Sequence, residues 1–163
     1  MRRTFGRVWD GLIYVNAILD CADRECIGLN VSQRNDAIEA AWAPEDALIN
    51  RFGALPTADT GVMLRTDNAL VYVSELYRQL AKSYGLAQEF ILPHTPEQNG
   101  VAESFMGTFK LECVWQHRFE TYAEAKIIIS EWIRHYNESR PQSRLGYLTP
   151  TAWREQQCLE ISA

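Results

Sequence analysis

Apolar and polar positions change their period several times along the chain. Residues 12–20 (Leu-Ile-Tyr-Val-Asn-Ala-Ile-Leu-Asp) and 24–32 (Arg-Glu-Cys-Ile-Gly-Leu-Asn-Val-Ser) are β-rich runs separated by the polar Cys21-Ala22-Asp23. They predict an antiparallel hairpin. Asp10-Gly11 is a turn signal, which places a further strand upstream, ending near Trp9. Over about 35–51 Ala, Glu, Ile and Leu recur with helical character, and Gly53 and Pro56 end the element. Val62-Met63-Leu64 reads as a short buried strand, followed by an amphipathic helix over about 73–84 that Gly85 closes. Residues 89–92 form another short strand, 94–100 a loop, and 101–116 and 122–138 two helices. Strands, helix, strand, helix, strand and then helices make an α/β domain: a mixed sheet flanked by helices. In such sheets ligands and metals collect at the carboxyl ends of strands, where Asp67 falls.

Composition narrows the class. The 163 residues suit one domain, and 47% apolar with 23% charged residues supplies a core and excludes disorder, collagen and coiled coil. No apolar run approaches the ~20 residues of a membrane-spanning helix, since the longest, 12–19, is strand-sized and interrupted by Asn16. The basic N-terminus lacks the apolar stretch of a secretory signal. Cys21, Cys26, Cys113 and Cys158 form no C-x-x-C pair and read as reduced thiols of a cytoplasmic protein. His94, His117 and His135 show no zinc spacing. Sixteen basic against 21 acidic residues give a charge of -5, which excludes a generally basic nucleic-acid wrapper. Any DNA-binding face is therefore a local patch. One candidate lies over 132–154, where Arg134, Arg140, Arg144 and Arg154 accompany a single acid, Glu138, among Trp132, Tyr136, Tyr147 and Trp153. The same aromatics equally suit docking the last helices onto the core while the arginines snorkel outward.

Two carboxylates stand out. Asp67 closes the strand signal, where an N-cap or turn role competes with a functional one. At ~100° per residue, Ala102, Phe105, Met106, Phe109 and Cys113 fall in one apolar sector of the next-to-last helix, and Glu103, Gly107 and Lys110 fall together beside it. An acid and a base flanking a glycine leave room for a phosphate-bearing partner, or simply mark a solvated face. In the preceding loop Thr95, Gln98 and Asn99 offer groups to phosphates or base edges. Thirty-five residues, 68–102, separate Asp67 from Glu103.

The strings Thr66-Asp67-Asn68-Ala69, Thr95-Pro96-Glu97-Gln98-Asn99-Gly100-Val101-Ala102-Glu103 and Thr108-Phe109-Lys110 resemble the catalytic core of DDE insertion-sequence transposases related to retroviral integrases. Tyr136-Asn137-Glu138-Ser139-Arg140-Pro141 with Leu145-Gly146-Tyr147-Leu148-Thr149-Pro150 resembles the closing signature of the same group, so the resemblance runs from Gly11 to Trp153. It implies a ribonuclease-H-like fold over 1–155 with a tail over 156–163. It also implies three acids holding two Mg²⁺ ions, with Mn²⁺ as substitute, that drive phosphoryl transfer at DNA ends in transposition and integration. Asp67 and Glu103 would be the second and third acids. Lys110, with Asn99, Gln98, Arg140 and Arg144, would contact DNA, both transposon end and target, and a second copy or a full-length transposase is an expected partner.

The chain departs from that pattern at its start. The family's first acid belongs to the first strand, and residues 1–9 contain no Asp or Glu. The expectation is therefore an incomplete first strand, in a truncated or mis-started transposase that is a poor catalyst. Asp20, which ends the next strand, corresponds to a structural hairpin position and is not promoted. Ala69 replaces a usual Gly, Gln142 stands where the tail has a His, near the DNA, and no helix-turn-helix precedes the core. Three functions follow: a transposase core, a non-catalytic remnant that binds nucleic acid or related transposases, and a ribonuclease-H-like nuclease of another kind, which the 136–150 signature disfavours.

Overall fold

The computed structural model describes residues 2–8 as backbone, 11–56, 59–92, 95, 99–160 and the backbone of 161. Strand β1 (Arg2–Val8) pairs antiparallel with β2 (Gly11–Leu19) in unbroken register from Val8↔Gly11 to Arg2↔Ala17. The predicted upstream strand is thus present as seven paired residues, ahead of the Trp9 position, which lies outside the described residues. β2 pairs antiparallel with β3 (Cys26–Ser32), with a register shift at Ile18/Leu19. The hairpin turn is held by its acids: Asp20 Oδ1 accepts from Ala22 N at 2.8 Å, and Asp23 Oδ1 accepts from Glu25 N at 2.9 Å. Arg51 crosses to Asp20 and Asp23 at 3.0 and 2.8 Å, so Asp20 is a structural anchor.

β2 is apolar on both faces because both are covered. Ile13, Val15 and Ala17 face one core, while Ile18 faces another. That alternation has the period of two that a strand imposes. α1 (Ala37–Phe52) covers the second face. Its N-cap Asp36 accepts from Glu39 N at 3.0 Å, and Gly53, in the left-handed region at φ 79, ends it. α1 presents Ala40, Ala43 and Ala47 to the sheet, and it lies so close that a Cβ on Gly28 would sit 2.2 Å from the Ala43 carbonyl oxygen. The outer edge of β3 is closed by side chains. Asn137 accepts from Cys26 N and donates to Cys26 O, both at 2.9 Å, Asp46 accepts from Leu29 N, Asn50 donates to Ile27 O, and Tyr122 donates to Val31 O. Such caps satisfy groups that would otherwise recruit another strand.

β4 (Val62–Thr66) and β5 (Leu86–Phe90) pair in parallel, joined by α2 (Leu70–Val73) and α3 (Glu75–Ser83). α3 starts near the expected helix, but the strand lies at 86–90 rather than 89–92. The parallel register with β4 selects those residues over the apolar run that follows. Beyond them come α4 (Gly100–Phe109), a π-helical turn (Lys110–Val114), α5 (Tyr122–Glu138), a 3₁₀ turn (Ser143–Leu145) and α6 (Pro150–Ile161). α6 runs across the expected 155/156 boundary, so 156–161 continue the helix. α5 begins with a capping box, Thr121 with Glu124. α4 and α5 meet through aromatics: Phe105 lies edge-on to Tyr136 at 4.9 Å and to Trp132 at 5.7 Å, and Phe109 meets Trp132 at 5.1 Å.

Among the described residues the strands form two sheets, β1-β2-β3 and β4-β5, not the one mixed sheet the sequence suggests. A cavity of about 590 Å³ lies between the sheets, touched by consecutive residues of both, Ile18 to Asp20 and Val62 to Arg65. Successive strand residues point to opposite faces, so the cavity meets strand edges. Among the described residues no helix is long and apolar enough to cross a membrane.

Candidate functional site

Asp67 follows the last residue of β4 and is half-buried. Its Oδ1 accepts from Ala69 N at 3.0 Å, a turn that starts α2. The adjoining Asn68 Nδ2 donates to Ile91 O at 3.0 Å, and Ile91 N donates to Thr66 O at 3.1 Å. The segments that leave the carboxyl ends of the two parallel strands are thereby tied together, with Asp67 between Thr66 and Asn68. Thr66 is fully buried, and its hydroxyl accepts from Gln88 Nε2 at 3.1 Å.

Glu103 occupies the first turn of α4, where the unpaired backbone N–H groups favour a negative charge. Ala102, Phe105, Met106, Phe109 and Cys113 are all buried, whereas Glu103 and Lys110 are half-buried and Gly107 is exposed. The expected sector and flank are both present. A Cβ on Gly107 would meet nothing within 4 Å, so the surface between Glu103 and Lys110 is open. Lys110 begins the π turn, in which Trp115 N reaches back to Lys110 O at 2.9 Å. Asn99 holds the N-cap position of α4 without a side-chain cap hydrogen bond, buried on the inter-sheet cavity, and Gln98 lies outside the described residues.

The arginine strip divides. Arg140 Nε and Nη2 bond both oxygens of Glu112 at 2.8–3.1 Å, and this pair raises the Arg140 pKa, so it ties the chain after α5 to the π turn. Arg154 reaches Glu25 at 3.1 Å, and Trp132 and Tyr136 sit inside the aromatic core. Arg134 and Arg144 remain exposed. The docking role therefore takes Trp132, Tyr136 and two of the four arginines, while Tyr147 stays 76% exposed. Gln142 is half-buried, and its backbone N–H and C=O close the turn to Leu148 and Tyr147. It too is a packing residue.

Three residues pass unnoticed as partners of the site in the sequence. Tyr72, fully buried on α2, donates its hydroxyl to Asn16 Oδ1 on β2 at 3.0 Å. Gln88 Nε2 donates to Tyr72 O at 3.0 Å as well as to Thr66. The available signal was Asn16, the polar break in an apolar run. Burial pushes the Cys113 thiol up to about 11 and raises Cys26 further, so neither is an activated nucleophile. Asp67 and Glu103 are hard oxygen donors of the kind Mg²⁺ takes. Among the described residues, however, no three His, Cys, Asp or Glu side chains come together to hold a metal ion, and β1 carries no carboxylate.

The fold is that of a retroviral integrase catalytic core. The bovine immunodeficiency virus (BIV) integrase core matches 98% of this chain and 95% of its own at a TM-score of 0.61 and 17% identity. The HTLV-2 integrase core in complex with magnesium matches 91% of this chain and 89% of its own at 0.53 and 16%. An integrase core domain model matches residues 3–96, more than half of the chain, and a second one of the same description matches 84–150. This chain belongs to the integrase core domain family. A putative transposase, InsD of insertion element IS2E from Escherichia coli K12, is 32% identical over 161 residues, 90% of this chain and 72% of the relative. The 31.7 kDa protein of IS407 from Burkholderia multivorans is 34% identical over 134 residues, 82% of this chain but 46% of the relative. The chain thus spans under half the length of that relative.

Proposed function

We propose that this chain is the catalytic core of an insertion-sequence transposase, acting on DNA ends by phosphoryl transfer in transposition and integration. The observation that carries the reading is the open flank of α4, with Glu103 and Lys110 on either side of an uncovered Gly107. On this reading Asp67 and Glu103 are two of the metal-holding acids, and Lys110, Gln98 and the exposed Arg144 contact DNA, whereas Asn99 is buried at the start of α4. Arg140 acts on DNA only through the loop it fixes. Bound Mg²⁺ would supply Lewis-acid chemistry at the phosphate. The chain's own residues supply the oxygen donors, a cation for the phosphate, and a surface that a duplex can approach. The cell compartment is the cytoplasm, and a second copy or a longer transposase is the partner.

The lack of a third donor among the described residues favours a second reading, a protein that binds DNA ends or related transposases without cutting. Titration calorimetry with Mn²⁺ on wild type and Asp67→Asn, paired with a strand-transfer assay on matching transposon ends, separates the two. Metal uptake lost in the variant, with strand transfer in the wild type, supports the catalytic core. DNA binding with neither supports the second reading.

A further inference from the structure

The acids of the candidate site are carried by elements that pack in different cores. Glu103 rides on α4, whose apolar sector belongs to the core that contains Ile13, Val15 and Ala17 of β2. Asp67 follows β4, which belongs to the core containing Ile18, α1, α2 and α3. Their spacing is therefore not set within either core. It depends on how the β4-β5 unit is seated against the sheet. On one side α1 touches both, through its close approach to Gly28 of β3 and through Glu45, which accepts from the Tyr84 hydroxyl at the end of α3. Nearer the site no ladder joins β2 to β4 among the described residues, and the cavity there has a mostly apolar lining. Apolar contact is non-directional and holds no register.

Directional contact comes from a buried chain of hydrogen bonds. Asn16 on β2 accepts from Tyr72, the Tyr72 carbonyl accepts from Gln88, and Gln88 also donates to Thr66, the residue next to Asp67. Asn16 is 2% exposed and Tyr72 and Thr66 0%. A buried polar side chain is costly unless its partner is in place, so Asn16 and Tyr72 hold one arrangement. We propose that the Tyr72–Asn16 hydrogen bond is the positioning contact that sets where Asp67 stands relative to Glu103. Its bearing on metal uptake rests on the function proposed above; its bearing on position does not.

The test uses the full chain with Cys21→Ser and Cys158→Ser and spin labels at Leu70→Cys and Ser104→Cys, both exposed, three residues after Asp67 and one after Glu103. Tyr72→Phe with Asn16→Leu removes both polar partners together, which leaves stability nearly unchanged. The expected result is an interlabel distance distribution roughly twofold broader in that double variant, at an unchanged thermal midpoint. A distribution identical to that of the parent overturns the proposal. So does broadening in Tyr72→Phe alone that the double variant abolishes, because the bond would then act through stability. Mn²⁺ titration adds the functional arm: about tenfold weaker binding in the double variant is expected, and equal binding overturns the link to the site. A parent chain that takes up no Mn²⁺ sinks the metal-site reading, while the distance measurement still decides the positioning role.

Discussion

The two faces of the antiparallel sheet are built on opposite strategies. The face carrying Glu103 is filled with large rings, Phe105, Phe109, Trp132 and Tyr136, interlocked at 4.9–5.7 Å. The face leading to Asp67 is lined by alanines that bring α1 almost onto the strands, and next to it lies the cavity. Bulk fixes one acid's helix, whereas close approach and hydrogen bonds fix the other acid's strand. The lesson is that the first side should fail when atoms are removed, and the second when atoms are added or polar partners lost.

The largest effect is expected from Phe109→Ala, which empties a fully buried ring position. Urea unfolding should show a loss of about 3–5 kcal/mol. Gly28→Ala should cost about 1–3 kcal/mol by the same measurement, because its Cβ has no room beneath Ala43 and Ala47. If it proves neutral, α1 is not packed as tightly as the geometry requires. Arg140 and Arg144 sharpen the contrast between docking and binding. Arg140→Ala should lose up to about 1 kcal/mol of stability, discounted because the Glu112 pair is about a third exposed. Arg144→Ala should stay within about 0.5 kcal/mol but lower DNA affinity and reduce the salt slope by about 0.9. The reverse outcome would exchange their roles.

The smallest effect concerns pH. Burial, reinforced by Asp23 and Asp20 and opposed by Arg154 and Arg51, raises the Glu25 pKa above 4.5. The folded state thus holds the proton more tightly than the unfolded one. Its contribution to stability is present below pH 4.5 and lost as pH rises through the folded value. Glu25→Gln should remove that decline, so wild type should lose ground to the variant over this range in pH-dependent denaturation.

Much of the local structure was legible because each signal was local. The β2-β3 hairpin follows from two apolar runs around a polar turn, and α5 spans the 122–138 expected of it. The flank of α4 was readable because helical geometry alone places Glu103, Gly107 and Lys110 together. The ends of β5 and α6 were not, since parallel register and packing select them. Arg140 was ambiguous for the same reason: nothing local to Ser139-Arg140-Pro141 announces Glu112, which lies 28 positions earlier.

By itself the sequence determined the family, the elements and the residue types of the site, because motif spacing and periodicity are properties of neighbouring positions. It also showed that 1–9 bring no carboxylate. Only the tertiary structure decided that the antiparallel and parallel strands stand as two sheets with a cavity between them, that the elements carrying Asp67 and Glu103 pack in different cores, and that Tyr72 meets Asn16. Those relations depend on contacts between distant segments, whose free energies are settled by packing and burial rather than by any local preference.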